Sequence, residues 1–265
     1  MKKALIITLC CLLVFTGLTI QGFAKAPSYS WYCAHVKEHV QPICGTELRF
    51  AEELDGYYLD HTHSQMSDAD KVIYLTFDAG YENGNIAKTL DVLKEEGVKG
   101  AFFILGNLIR HDTELVRRMA KEGHTVCNHT LRHKDMSQMN EADFLDELHA
   151  LESLYEKEIG EKLAPYYRPP EGKFNRENLT VSQKNGYKTI FWSFAYPDWD
   201  NNKQMSLEKA KSVILENVHN GEVMLLHPTS ETNAAILGDV IRELKQQGFR
   251  FGTLDELTKR VGEAQ

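Results

Sequence analysis

After its first twenty residues, the chain has no second long apolar run. The only such run covers residues 4–20 and follows Lys2 and Lys3. A basic start, an apolar run and small residues at 22–24 are typical of an export signal, so we predict a signal peptide over residues 1–24. An uncleaved membrane anchor is the alternative, because the run is near the lower length limit for a membrane span. We expect the remainder to be soluble and to work outside the cytoplasm.

The chain also lacks an excess of basic residues. It has 30 Lys and Arg against 38 Asp and Glu, which gives a net charge of −8. Proteins that bind polyanions carry the opposite balance. We therefore expect no nucleic-acid partner, and an uncharged substrate fits the composition better.

Cysteine is scarce, and two of the five cysteines lie in the predicted signal. Outside the cytosol, Cys33 and Cys44 could form a disulfide that closes a short loop, or both could be free thiols. Cys127 lies in an apolar strand-like run and is expected to be a packed apolar residue.

Periodicity divides the exported part in two. Residues 25–70 show no clear period, and we predict an extended arm that packs on the domain formed by residues 71–265. That domain alternates apolar runs of strand length with stretches of helical period. The predicted strands cover residues 72–77, 101–105, 125–127, 166–168, 189–193, 222–226 and 249–253, and the main helices cover 85–95, 114–122, 142–158, 207–218 and 234–247.

This alternation predicts an α/β fold with a parallel sheet. Seven strand–helix units favour a distorted parallel (β/α) barrel of about seven strands, with a doubly wound open sheet as the alternative. Glycines at 97, 123, 186 and 248 are placed to end helices, and Thr253 to Glu256 is a capping box that opens a last helix.

Four reactive side chains come at or just after predicted strands: Asp78, His129, Arg168 and His227. In parallel α/β folds the site lies at the carboxyl ends of the strands, so we expect these side chains to converge on one rim. His133 lies four residues after His129, which lets both imidazoles face one ion.

This set of residue types suits the hydrolysis of an amide or an ester. Two imidazoles can hold a divalent metal and leave positions open for water and substrate; zinc is the metal that imidazole ligation favours, although other divalent ions are compatible with it. Asp78 is then the candidate base and His227 the candidate acid. Arg168 would orient Asp78, and Asp198 would orient His227.

Aromatic residues surround the same segments. Tyr167 precedes Arg168, and Trp199 follows Asp198. Because aromatic faces suit sugar rings, we predict that Tyr167 and Trp199 contact the substrate.

The motifs resemble those of the polysaccharide deacetylases with a NodB-like domain, which form carbohydrate esterase family 4. The matching segments, in family order, are Thr76-Phe77-Asp78-x-Gly80, His129-x-x-x-His133, Arg168-Pro169-Pro170-x-Gly172, Asp198-Trp199 and Leu225-Leu226-His227. Details such as Gly80 to Asn85 are similar to the delta-lactam-biosynthetic de-N-acetylases. The resemblance implies removal of the N-acetyl group from peptide-free N-acetylmuramic acid in spore-cortex peptidoglycan. The expected partner is the glycan strand, the expected location is the cell wall or spore envelope, and the expected state is a monomer.

The same resemblance implies that Asp78 is the base, His129 and His133 are metal ligands, Arg168 is the partner of the base, and His227 is the acid. Asp198 matches the aspartate that tunes the histidine. One departure is Ala79, where most of the family has a metal-binding aspartate. Asp135 or a substrate oxygen could replace that ligand. A second departure is Glu171, which places a negative charge close to Arg168 in the sequence.

Three other functions remain open from the sequence. The chain could deacetylate another glycan, such as an N-acetylglucosamine polymer. It could be a sugar-binding protein that has lost catalysis through Ala79, although it retains the other motif positions. It could also be an amidase of small molecules on the same scaffold, which export and the aromatic rim make a weaker fit.

Overall fold

The structure, a computed structural model, describes residues 27–259. Its strands are β1 (Tyr29–Ser30), β2 (Gly56–Tyr57), β3 (Lys71–Ala79), β4 (Ala101–Ile104), β5 (Thr125–Asn128), β6 (Tyr166–Tyr167), β7 (Lys173–Phe174), β8 (Lys188–Ile190), β9 (Glu222–Leu226) and β10 (Phe249–Phe251). Its α-helices are α1 (Phe50–Glu53), α2 (Asn85–Glu95), α3 (Gly106–His111), α4 (Thr113–Lys121), α5 (Glu141–Ile159), α6 (Arg176–Lys184), α7 (Leu207–Asn217), α8 (Glu231–Gln246) and α9 (Leu254–Leu257).

All seven predicted strands are present and parallel. The main sheet runs in the order β10-β3-β4-β5-β6-β8-β2, and β9 also pairs with β3. Beyond the end of β8, Phe194 bridges to Met224 of β9, which brings the two sides of the curled sheet together. The strands thus form the distorted parallel barrel that was predicted, rather than a doubly wound open sheet.

The strand sequences explain this architecture. Residues 72–77 of β3 are all buried, as expected for a parallel strand with packed elements on both faces. The main helices bury one face only; in α4 that face carries Val116 and Met119. The four glycines predicted to end helices all have positive φ, and the Thr253 side chain caps α9. These local signals place the strand ends that carry the reactive residues.

The arm forms more regular structure than its sequence indicated. Its strand β2 pairs in parallel with β8 and adds an eighth strand to the main sheet, while β1 pairs antiparallel with β7. Trp31 stacks on Phe191 with ring centroids 4.2 Å apart, and its indole N–H donates to the carbonyl of Trp192. The arm therefore packs against Phe191 and Trp192, which directly follow β8 in the barrel.

A histidine links two carboxylates near the end of the arm, just before β3. His63 lies between two carboxylates, with Nδ1 2.8 Å from Asp60 Oδ2 and Nε2 3.1 Å from Asp70 Oδ2. Burial alone would lower the pKa of His63, but these carboxylates raise it above its ordinary value. This contact contributes to stability only while His63 is protonated.

Cys33 and Cys44 are free thiols, so the structure contains the unbridged alternative. Burial raises the pKa of Cys33 to about 12. Cys127 is fully buried, as predicted. The predicted signal peptide lies outside the described residues. Within residues 27–259, no helix combines the length and apolarity needed to cross a membrane.

Candidate active site

Four strands bring the reactive residues to one rim. Asp78 is the penultimate residue of β3, His129 directly follows β5, Arg168 follows β6 and His227 follows β9. All four strands are parallel, so their carboxyl ends meet at the same end of the barrel. The hydrogen bonds below tie these residues into two pairs.

The first pair is Asp78 and Arg168. Arg168 is fully buried, and its Nη1 donates to Asp78 Oδ1 at 2.8 Å. Its other donors reach the carbonyls of Ile190 and Phe191 and the hydroxyl of Thr76, and its guanidinium lies 4.1 Å from the centre of the Phe103 ring. The guanidinium is therefore fixed in one orientation by the barrel interior.

This arrangement sets the charge of Asp78. Burial alone would raise the pKa of the carboxyl, but the positive charge of Arg168, followed by His129, His227 and the hydrogen bond from Arg168, lowers it below its ordinary value. Asp78 is therefore ionised at neutral pH and has one oxygen, Oδ2, directed toward His129. An ionised carboxylate in this position can accept a proton.

His129 is held in a single tautomer. Its Nδ1 donates to the carbonyl of Arg168 at 2.9 Å, because a carbonyl can only accept. The free lone pair on Nε2 then lies 3.6 Å from Asp78 Oδ2. Burial lowers the pKa of His129 to about 4, so the ring is neutral and can bind a metal.

His133 reaches the same side through an unusual loop. Thr130 and His133 have φ values of 75° and 55°, in the left-handed region that few non-glycine residues adopt. The imidazole centres of His129 and His133 are 5.1 Å apart. Buried Glu147 of α5 holds this loop by accepting from the backbone N and from Nε of Arg132. The strained turn therefore directs both imidazoles toward one region.

The donor set fits a divalent ion through these two imidazoles. Ala79 is buried and has no donor atom, and Asp135 uses its Oδ1 to accept from the backbone and hydroxyl of Ser137. Across the described residues, no cluster of three or more His, Cys, Asp or Glu side chains is placed to hold a metal. His129 and His133 would therefore hold the ion with the remaining positions open, and Asp135 is not grouped with them within the described residues.

The second pair is His227 and Asp198. Asp198 is buried; its Oδ1 lies 2.7 Å from Nδ1 of His227, and its Oδ2 accepts from the His227 backbone N at 2.8 Å. Asn233 also donates to Oδ2, at 2.6 Å, and its own oxygen accepts from the hydroxyl of Tyr196. Burial alone would lower the pKa of His227, but Asp198 and then Asp78 raise it above its ordinary value.

The two predicted aromatic contacts differ in the structure. Trp199 is 61% exposed, and its ring centre lies 6.3 Å from that of His227. Tyr167 is only 1% exposed and packs edge-on against Phe144. We therefore correct the substrate contact predicted for the Tyr167 side chain: it packs in the protein interior, because neighbouring side chains in a strand face opposite ways.

Several residues around this rim were not identified as functional from the sequence. Thr76 and Phe103 orient Arg168, Glu147 holds the His129–His133 loop, and Asn233 and Tyr196 support Asp198. Glu171 pairs with Lys173 at 2.7 Å, so its charge has a partner other than Arg168. A polar residue in the first turn of α8, three positions after the Ser230 cap, was the available signal for Asn233.

Comparison with known proteins agrees with this geometry. A family model described as polysaccharide deacetylase matches residues 65–190. The peptidoglycan-N-acetylmuramic acid deacetylase PdaA of Bacillus subtilis is 36% identical over 256 residues, which cover 94% of each chain. An uncharacterized 30.6 kDa protein of Geobacillus stearothermophilus is 43% identical, covering 92% of this chain and 89% of the relative. The solved structure of Bacillus subtilis PdaA, a family 4 carbohydrate esterase, has a TM-score of 0.81 at 37% identity and covers 87% of this chain and 96% of its own.

Proposed function

Since the chain belongs to the polysaccharide deacetylase family, we propose that it removes the N-acetyl group from N-acetylmuramic acid residues of peptidoglycan that no longer carry peptide. The freed amine then closes a delta-lactam with the lactyl carboxyl, as required in spore cortex. The name and high coverage of the Bacillus subtilis relative support this substrate. The protein acts as an exported monomer on glycan strands of the cell wall or spore envelope.

The observation that carries the chemistry is that two groups on one rim have pKa values shifted in opposite directions. The pKa of Asp78 is lowered and the pKa of His227 is raised, so one can be ionised as a base while the other is protonated as an acid. Two titratable groups whose surroundings shift their pKa values apart are typical of acid–base catalysis.

The reaction follows from these two charge states. Asp78 takes a proton from water, and the oxygen of that water forms a bond to the acetyl carbonyl carbon. His227 then gives its Nε2 proton to the amide nitrogen, and the C–N bond breaks to release acetate and the free amine. Arg168 keeps Asp78 oriented, and Asp198 holds Nδ1 of His227 so that Nε2 faces the reacting nitrogen.

A divalent ion, for which we propose zinc, would be held by His129 and His133. When bound, it supplies a Lewis acid for the acetyl carbonyl oxygen and lowers the pKa of water. Since these two imidazoles are the protein donors, we expect weaker binding than at a site with three protein ligands.

The test uses metal-depleted protein with zinc added or omitted. Peptide-free cortex glycan and chitooligosaccharides are offered separately, and products are read by mass spectrometry. We expect zinc-dependent loss of acetyl groups from muramic acid residues. Acetyl loss from chitooligosaccharides alone would assign the protein to another glycan.

Asp78→Asn is the matched control, since it changes the base with little change in size. The variant should bind glycan and have no turnover. Turnover equal to that of the wild-type protein would refute the role of Asp78, and binding without turnover by the wild-type protein would favour a sugar-binding function.

A further inference from the structure

Trp199 is exposed but lies at a defined distance from the acid. Its side chain is 61% exposed, and its ring meets that of His227 at a 63° interplanar angle. An exposed side chain gains little orientation from packing, so the position of the indole depends on the backbone that carries it. The contacts of that backbone therefore decide where the ring lies.

Gln204 holds the backbone on both sides of Trp199. Its Nε2 donates to the carbonyl of Asp198 and to the carbonyl of Asp200, each at 2.9 Å. Both carbonyls can only accept, so they fix which end of the amide faces the Trp199 segment. One side chain thus bonds to the backbone on both sides of a single exposed residue, and we call these two bonds the clamp.

The other end of the same amide is also used. Gln204 Oε1 accepts from the hydroxyl of Ser230, and the Ser230 oxygen accepts from the backbone N of Asn233 at the start of α8. Asn233 in turn donates to Asp198, the partner of His227. The clamp is therefore anchored to the helix end that supports the acid.

A second tether of the segment is more exposed. Asn201 donates to the hydroxyl of Tyr81 at 2.7 Å, and Tyr81 is 46% exposed. Water competes with such a bond at the surface, so it constrains the segment less than the Gln204 contacts. Asn201 is therefore the natural comparison residue.

We propose that Gln204 is a positioning residue that holds Trp199 as the stacking surface for a pyranose ring of the glycan. Gln204 does not touch the reacting atoms; it acts through Trp199. The inference rests on the proposed function, because it assigns the sugar ring bound next to His227. An aromatic face whose backbone is held in advance loses less conformational freedom on association.

The test is a double-mutant cycle with Gln204→Met, which keeps the length of the side chain and removes both the donors and the acceptor of the Ser230 hydroxyl. Binding of a peptide-free cortex tetrasaccharide is measured by calorimetry, and KM and kcat are measured on longer strands. We expect Trp199→Ala to weaken binding about tenfold and Gln204→Met about fivefold, with a larger change in KM than in kcat. In the Trp199→Ala background, Gln204→Met should add nothing further.

Equal effects of Gln204→Met in both backgrounds, a fall in kcat without a rise in KM, or unchanged binding would overturn the proposal. If Gln204→Met melts at a much lower temperature than the wild-type protein, Gln204→Glu repeats the cycle, because a carboxylate cannot donate to the two carbonyls. Asn201→Ala should change KM less than Gln204→Met, and a larger change would overturn the ranking of the tethers. Tetrasaccharide binding without turnover by the wild-type protein would refute the proposed function. The double-mutant cycle could then still be measured by binding.

Discussion

Replacing Arg168 by methionine removes four hydrogen bonds that one buried guanidinium donates. Methionine fills a similar volume, so the main loss is electrostatic rather than a cavity. Asp78 remains as a carboxylate that is only 10% exposed and has lost its partner, and the carbonyls of Ile190 and Phe191 lose a donor. Breaking a buried ion pair by removing one partner costs about 3–5 kcal/mol, and we expect a loss of about 4 kcal/mol at neutral pH.

The loss should depend on pH, with a sign fixed by Asp78. In the wild-type protein its folded pKa is below the ordinary value, so its contribution to stability is present above that value and disappears as the pH falls through the folded pKa. In the variant the largest lowering charge is gone, so the pKa of Asp78 rises. The cost is therefore largest near neutral pH and becomes smaller as the pH falls through the raised pKa of the variant carboxyl.

Urea unfolding of both proteins at several pH values measures this loss. The matched control is Arg242→Met, since Arg242 pairs with Glu96 and Asp239 with its side chain 51% exposed. Exposed pairs contribute about 0–1 kcal/mol. A loss below about 1 kcal/mol for Arg168→Met, or a loss that does not change with pH, would refute the electrostatic reasoning.

Three further predictions concern other contacts. Asp198→Asn removes the charge that raises the pKa of His227, so the alkaline limb of the kcat–pH profile should move to lower pH and kcat should fall about a hundredfold or more; an unmoved limb would argue against His227 as the acid. Glu147→Gln weakens the anchor of the imidazole loop, and zinc affinity measured by titration should fall about 10-fold or more, whereas unchanged affinity would mean that the loop supports itself. His63→Asn should flatten the pH dependence of stability. The stability of the wild-type protein should fall by less than about 1 kcal/mol as the pH rises through the raised pKa of His63. An equal fall in the variant would exclude this contact as the source.

The residues that meet at the rim could be predicted because parallel strands have their carboxyl ends on the same side. Asp78, His129 and His227 come at the carboxyl ends of apolar runs, and parallel strands bring those ends together whatever the details of packing. The substrate contact predicted for Tyr167 rested instead on its place next to Arg168 and on its aromatic ring. In β6 neighbouring side chains face opposite ways, so the residue before Arg168 packs away from the site.

Other parts of the site depend on contacts that no period encodes. The strand β2 has only two residues, and it forms because β8 offers an edge for Gly56 and Tyr57. The bonds from Ser230 to Gln204 and from Asn233 to Asp198 join segments far apart in sequence, so these partners follow from the folded geometry alone. The sequence therefore predicted the residues at the reaction centre better than the residues that hold them.

The bridge between Phe194 and Met224 has a consequence for how the molecule opens. Strand β9 is paired with β3 over five residues, but on its other side it meets the Phe194 segment through a single bridge. The backbone bonds there run from Leu225 N to Phe194 O and from both Ser193 N and Phe194 N to Val223 O. Because few backbone bonds join β9 to this segment, the seam is one place where the barrel can open locally in native-state fluctuations. Asp198 lies on one side of it and His227 on the other, so an opening of the seam would separate the acid from its carboxylate. We expect hydrogen exchange at the Leu225 amide to measure how often the seam opens.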